Sequence, residues 1–213
     1  MSIRIVLADD HAIVREGLKR IVSDVADFTV AGEAADGTEV MQVVRSLEFD
    51  VLVLDLSMPG RSGMELIKLV KSEKPRLRIL ILSMHQELQY AVRAIKSGAS
   101  GYLTKESAPA QLEQAIRKIA AGGAYISAEV AEQLALGAMP DAQAAPHEAL
   151  SDREFEVLRS LAGGASVSEI AAALNLSVKT VSTHKANGMA KMGLANQTEL
   201  VRYALKHGLI EDA

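Results

Sequence analysis

The chain has 213 residues, about half of them hydrophobic, with 23 Lys and Arg against 27 Asp and Glu, no cysteine and a formal net charge of −4. That size and apolar content support two domains that each bury a core, and the lack of cysteine excludes a disulfide framework or a thiolate metal site. No apolar run approaches the roughly 20 residues that span a bilayer, and Met1-Ser2-Ile3-Arg4 opens no secretory segment, so a cytoplasmic protein with no membrane partner is expected.

Up to about Ala121, short runs rich in β-branched residues alternate with longer segments of helical apolar spacing. Strands are expected at 3–8, 29–33, 51–56, 79–83 and 101–104, and helices near 11–25, 37–47, 63–72, 88–97 and 109–121. The continuous run Val51-Leu52-Val53-Leu54 suits a parallel strand covered on both faces. Residues 1–121 thus read as an α/β domain, a doubly wound five-stranded parallel sheet with its ligand site beyond the C-terminal ends of the strands. Residues 122–146 read as a linker, with a short helix after Gly122-Gly123 and then a Pro/Ala-rich stretch over 138–146. Residues 147–213 read as a small all-α domain. Its helix starts are marked by Ser151 with Glu154, Ser166 with Glu169, Asn196 with Glu199, and Ser177 as a plain N-cap, giving helices near 152–162, 167–174, 178–191 and 197–207.

Laid on those strands, Asp9 and Asp10 follow the first, Asp55 lies near the end of the third, Ser83 follows the fourth and Lys105 the fifth, so all five gather at one sheet edge. Singly, an Asp or Ser at a strand end commonly caps the next helix, and a lysine there is commonly solvated. Together, three carboxylates and a lysine suit phosphoryl transfer. Hard oxygen ligands hold Mg²⁺, a carboxylate can act as nucleophile, and the cations neutralise charge on the transferring oxygens.

The segments Ala8-Asp9-Asp10-His11, Leu54-Asp55-Leu56-Ser57-Met58-Pro59-Gly60, Leu82-Ser83-Met84 and Gly101-Tyr102-Leu103-Thr104-Lys105 resemble the flavodoxin-like receiver domain of two-component response regulators. The resemblance implies that Asp55 is the phosphoacceptor. It also implies that Asp10, Asp55 and the Ser57 backbone carbonyl bind Mg²⁺ directly, with Asp9 acting mainly through water. Ser83 would hydrogen-bond the phosphoryl oxygens, Lys105 would pair with them, and Tyr102 would be an aromatic switch moving with Ser83. Many receivers have a cis-proline after the lysine; here Glu106 stands there, which leaves the local backbone geometry open. Phosphatases that work through an aspartyl phosphate form one rival class, but they usually carry a second acid two residues on, where this chain has Ser57; a module whose helical domain contacts protein rather than DNA is the other.

In the helical domain, the 167–174 and 178–191 segments are spaced as a helix-turn-helix. Ile170, Ala171, Leu174, Val178, Val181 and Met192 are expected to form its apolar seam. From Ser177 to Lys206 five basic residues (Lys179, Lys185, Lys191, Arg202, Lys206) face one acid, Glu199, although the chain as a whole is acidic. Leu150-Ser151-Asp152-Arg153-Glu154, Glu169-Ile170-Ala171 and the run from Ser177 to His184 resemble the LuxR-type DNA-binding domain, and the two halves together resemble the NarL/FixJ class of response regulators. That likeness puts Lys179, Thr180, Lys185 and Lys191 on backbone phosphates and Ser182, Thr183 and Ala186 at base-reading positions, with Asn187 on the same exposed side. Gly188 departs from the pattern, standing where a bulky aliphatic usually packs, at a helix-propensity cost of about 1 kcal/mol relative to Ala; Met189 or Met192 is expected to fill the gap. The likeness further implies a histidine kinase as phosphodonor, a homodimer on phosphorylation through the last helix, promoter DNA as target and RNA polymerase as a further partner. It implies no turnover enzyme.

Overall fold

The computed structural model describes residues 2–58, 63–84, 88–136 and 145–210. The chain divides into two compact units, Met1–Glu132 and Gln133–Ala213.

In the first unit β1 (Ile3–Ala8), β2 (Phe28–Ala34), β3 (Val51–Asp55), β4 (Arg78–Ser83) and β5 (Gly101–Thr104) form one parallel sheet in the order β2-β1-β3-β4-β5. Helices α1 (Ala12–Ser23), α2 (Gly37–Ser46), α3 (Gly63–Glu73), α4 (Leu88–Lys96) and α5 (Ala108–Ala120) follow the strands in turn. Every residue of β3 is buried, as its unbroken apolar run requires of a strand with both faces covered. Ile5, Leu7, Val51, Val53, Leu80 and Leu82 pack with Leu112, Ala115 and Ile116 of α5 in one core cluster. Each such Leu or Ile contributes about 1.5–3 kcal/mol by leaving water.

Gly122, at φ +96°, turns the chain out of α5 and back toward the sheet. Tyr125 then bridges in parallel to Gly101: Tyr102 N–H donates to Tyr125 O at 2.9 Å and Tyr125 N–H to Ser100 O at 3.1 Å. A Cβ at Gly101 would stand 3.0 Å from Tyr125 O and 2.9 Å from Leu80 Cδ1, so the close approach needs glycine there. The Tyr125 hydroxyl lies 3.0 Å from Gln111 Oε1, and α6 (Ala128–Leu136) follows. Of the proline/alanine-rich stretch expected over 138–146, residues 138–144 lie outside the described residues.

The second unit contains a 3-10 turn (Pro146–Ala149) and helices α7 (Asp152–Ala162), α8 (Val167–Ala173), α9 (Val178–Met192) and α10 (Gln197–Lys206). Ser151 with Glu154 and Ser166 with Glu169 form capping boxes, and the Ser177 hydroxyl accepts from Thr180 N–H. Asn196 caps α10 by accepting from Glu199 N–H, but the Glu199 carboxylate reaches Ala195 N–H instead of closing the box. Asn175, at φ +52°, lets the α8–α9 turn close within a few residues. Phe155, Leu158, Leu161, Ile170, Ala171, Val181, Met192 and Leu200 are buried.

Two expectations need correction. Val178 is not in the seam; at the first position of α9 it is exposed, and the buried face of that helix is carried by Val181, Gly188, Met189 and Met192. At Gly188, the nearest atoms to an added Cβ are Leu158 Cδ1 at 2.8 Å, Leu158 Cγ at 3.1 Å and Glu154 Cβ at 3.4 Å. Side chains of α7 therefore fill the space, and glycine lets α7 and α9 approach.

Candidate phosphoacceptor pocket and DNA-reading helix

Parallel pairing puts Asp55 opposite Leu82 and Ser83 opposite Thr104, which brings the C-terminal ends of β3, β4 and β5 side by side, with β1 on the other flank of β3. Asp9, Asp55 and Ser83 are buried there. Lys105 follows β5, only 11% exposed, with Nζ 2.8 Å from Asp55 Oδ2 and 2.6 Å from Asp9 Oδ2. Its backbone N–H donates to Ser83 O at 2.8 Å, tying the lysine to the end of β4. Ser57 N–H donates to Asp55 Oδ1 at 3.0 Å and so fixes the rotamer of that carboxylate. The Lys105–Glu106 peptide is trans, which settles the open geometry.

Asp9 Oδ2 touches the Lys105 ammonium outside hydrogen-bonding alignment, and Asp10 Oδ1 likewise accepts no hydrogen bond among the described residues. Asp9, Asp10, His11 and Asp55 each present a ligand atom within 4.8 Å of the others. Three carboxylates against one ammonium leave negative charge without a counter-charge, in hard oxygens with open lone pairs; that donor set fits a divalent cation such as Mg²⁺. Burial pushes the Asp55 carboxyl above its usual range against the pull of Lys105 and the Ser57 N–H. Burial opposes charge on Lys105 too, but its hydrogen bond to Asp55 and its ion pair with Asp9 outweigh that and hold the ammonium above its ordinary value.

Two residues at the pocket escaped the sequence reading. His11 is the N-cap of α1; its N–H donates to Asp9 Oδ1 at 2.9 Å and its Nδ1 lies 3.0 Å from Asp10 Oδ1, with the side chain 65% exposed. Arg15, one turn on, donates to the Asp9 backbone carbonyl at 2.5 Å. The only signal for His11 was its place after two aspartates. Tyr102 is partly buried on β5 and lines a cavity of about 520 Å³ with Leu88, Ala91, Tyr125 and Val130.

In the second unit α9 displays Lys179, Ser182, Thr183, Ala186 and Asn187 outward, while Thr180 and Lys185 are partly buried. Thr183 Oγ1 donates to Lys179 O at 3.0 Å, and the Thr180 and Ser177 hydroxyls lie 2.8 Å apart. Lys191 is exposed along its stem, but its ammonium donates to Glu154 Oε2 at 2.6 Å, so it anchors α9 to α7. His147 Nδ1 lies 2.9 Å from the Tyr203 hydroxyl, and Tyr203 stacks on His207 with centroids 4.2 Å apart, so the segment entering the unit is fastened to α10.

Comparison with known proteins agrees with both halves. Residues 5–117 match the response regulator receiver domain, and residues 148–204 match bacterial regulatory proteins of the luxR family. The chain is 35% identical over 208 residues to the response regulator UvrY of Escherichia coli K12, covering 97% of this chain and 95% of UvrY. It is 40% identical over 216 residues to the oxygen regulatory protein NreC of Staphylococcus epidermidis, covering 98% and 99% of the two chains. A structure of RcsB from Salmonella enterica serovar Typhimurium, bound to promoter P1flhDC in the presence of phosphomimetic BeF3-, is 32% identical with a TM-score of 0.68, covering 97% of this chain and all of that one. With an acidic, lysine-closed pocket in one unit and a capped helix-turn-helix in the other, the chain belongs to the NarL/FixJ-class response regulators, DNA-binding transcriptional regulators of two-component systems rather than enzymes.

Proposed function

We propose that Asp55 accepts a phosphoryl group from a histidine kinase or a small acyl phosphate, and that this controls promoter binding by α9. The observation that supports it most is the convergence of Lys105 on both Asp55 and Asp9, at 2.8 and 2.6 Å, in a buried pocket. An Asp55 carboxylate oxygen attacks phosphorus, the donor leaves with its bonding pair, and an acyl phosphate forms. Asp10, Asp55 and the Ser57 carbonyl would hold Mg²⁺, with Asp9 through water; the ion supplies charge neutralisation on the transferring oxygens. Lys105 pairs with the new phosphoryl oxygens and Ser83, buried beside it, donates its hydroxyl to them.

Those contacts exist only once the phosphoryl group is present, so they bias two arrangements of Ser83 and Tyr102; a tenfold shift in population needs about 1.4 kcal/mol. Among the described residues no helix is long and apolar enough to cross a membrane; action on promoter DNA would place the protein in the cytoplasm. In the second unit Lys179, Thr180, Lys185 and Lys191 serve phosphate contacts and Ser182, Thr183, Ala186 and Asn187 face bases, with Lys191 having to leave Glu154 to do so. A homodimer through α10 places two copies of α9 about one helical turn apart on DNA, and RNA polymerase is the partner a bound activator meets.

The test is intact-protein mass after incubation with acetyl phosphate and Mg²⁺, on wild type and Asp55→Asn, paired with binding to promoter DNA. A single phosphoryl adduct absent from the variant, with tighter DNA binding only in the modified protein, supports the reading. Equal DNA binding with and without the adduct overturns the control by phosphorylation.

A further inference from the structure

Val178 is 51% exposed at the first position of α9, directly after the Ser177 cap. Val181, Gly188, Met189 and Met192 mark the core side of the same helix. Val178, Ser182 and Ala186 succeed one another at four-residue intervals, so they neighbour each other on the outward side. A β-branched residue is a modest helix former, and an exposed valine gains nothing from water, so neither helix stability nor packing in this unit accounts for it. The chemistry around it points the same way. The Thr183 hydroxyl hydrogen is held by Lys179 O, so that hydroxyl has no proton to give a base, and Ala186 offers only a methyl. Lys179 supplies the positive charge beside them.

We propose that Val178 is a specificity-determining residue whose methyl groups pack on the C5-methyl of a thymine in the major groove. This rests on α9 being the DNA-reading helix. The N-terminal residues of a recognition helix are those that reach base edges, and thymine is the base that presents a methyl in that groove. Removing the thymine methyl from such a contact weakens binding about 4-fold, the value of one buried methyl.

The phosphorylated full chain is used to select duplexes from a randomised library, and the selected sequence is resynthesised with deoxyuridine replacing each thymine singly, which deletes the methyl alone. Affinities are read by fluorescence anisotropy at fixed salt for wild type, Val178→Ala and Val178→Ile, with helix content checked by circular dichroism. At one thymine per half-site the wild type and Val178→Ile lose about 4-fold on deoxyuridine substitution, whereas Val178→Ala loses less than about 1.5-fold. Sensitivity at other thymines stays the same in all three. If every thymine responds equally in wild type and Val178→Ala, or none responds, the proposal is overturned while DNA reading by α9 stands. If the wild type selects no sequence, DNA reading fails and the proposal with it.

Discussion

Substitution of Gly188 by alanine sets helix propensity against packing. In an isolated helix the change would stabilise by about 1 kcal/mol. Here the new Cβ would lie 2.8 Å from Leu158 Cδ1 and 3.1 Å from Leu158 Cγ, and Leu158 is itself enclosed in the core at 2% exposure, so it has little room to retreat. Overpacking of that kind costs about 1–3 kcal/mol. The balance is a net loss of about 1 kcal/mol, which makes α9 open about five times more often, and amide hydrogen exchange on the α9 segment of the full chain reads it locally. The geometric cause predicts a sign reversal. In a Leu158→Ala background, already about 2–5 kcal/mol less stable, Gly188→Ala meets no obstacle and stabilises by its full propensity of about 1 kcal/mol. A gain of that size in the otherwise unaltered protein would refute the packing argument; so would equal effects in the two backgrounds.

Lys191→Met keeps the aliphatic stem but leaves the enclosed Glu154 carboxylate to the Ser151 N–H alone, and should cost about 1–3 kcal/mol in the helical unit, measured by urea-induced loss of helix. In the unaltered protein burial opposes ionisation of Glu154, yet Lys191 and the Ser151 N–H hold its carboxyl below the ordinary value. A lowered folded pKa gives stability that is fully present above the unfolded glutamate pKa of about 4.3 and is lost as pH falls through the lower folded value; urea midpoints at pH 6 and pH 3 should therefore converge between wild type and Lys191→Met. Gly101→Ala should press on Tyr125 O and release that segment from β5, seen as faster exchange at Tyr102 and Tyr125 N–H with the rest of the sheet unchanged. Because burial raises the Asp55 carboxyl, the folded state loses stability as pH rises above the unfolded aspartate value of about 3.9; in metal-free buffer at pH 7 Asp55→Asn should melt higher than wild type. Adding Mg²⁺ at about 100 times its Kd should stabilise the wild type by about 2.7 kcal/mol and narrow that gap, and a calorimetric scan showing no response to Mg²⁺ would remove the metal from the account.

Periodicity and capping chemistry are local properties, and they were legible. β-Branched apolar runs set the five strands to within a residue or two, and Ser151, Ser166, Ser177 and Asn196 set four helix starts, because each signal lies within a few residues of what it controls. The pocket was legible for a related reason. A doubly wound sheet carries every strand's C-terminal end to one edge, so Asp9, Asp55, Ser83 and Lys105 could be placed together from strand order alone. What the tertiary structure decided depends on partners far away in the chain. Lys191 meets Glu154 across 37 positions, Leu158 fills the hollow at Gly188, Tyr125 completes the free edge of β5, and His147 reaches Tyr203 across 56. Val178 carries the same apolar label as Val181, and only the packing of the helical unit decides that one is exposed and the other buried. A side chain's chemistry is written at its own position, but whether water, a neighbouring helix or a ligand surrounds it is set by segments that its local sequence does not contain.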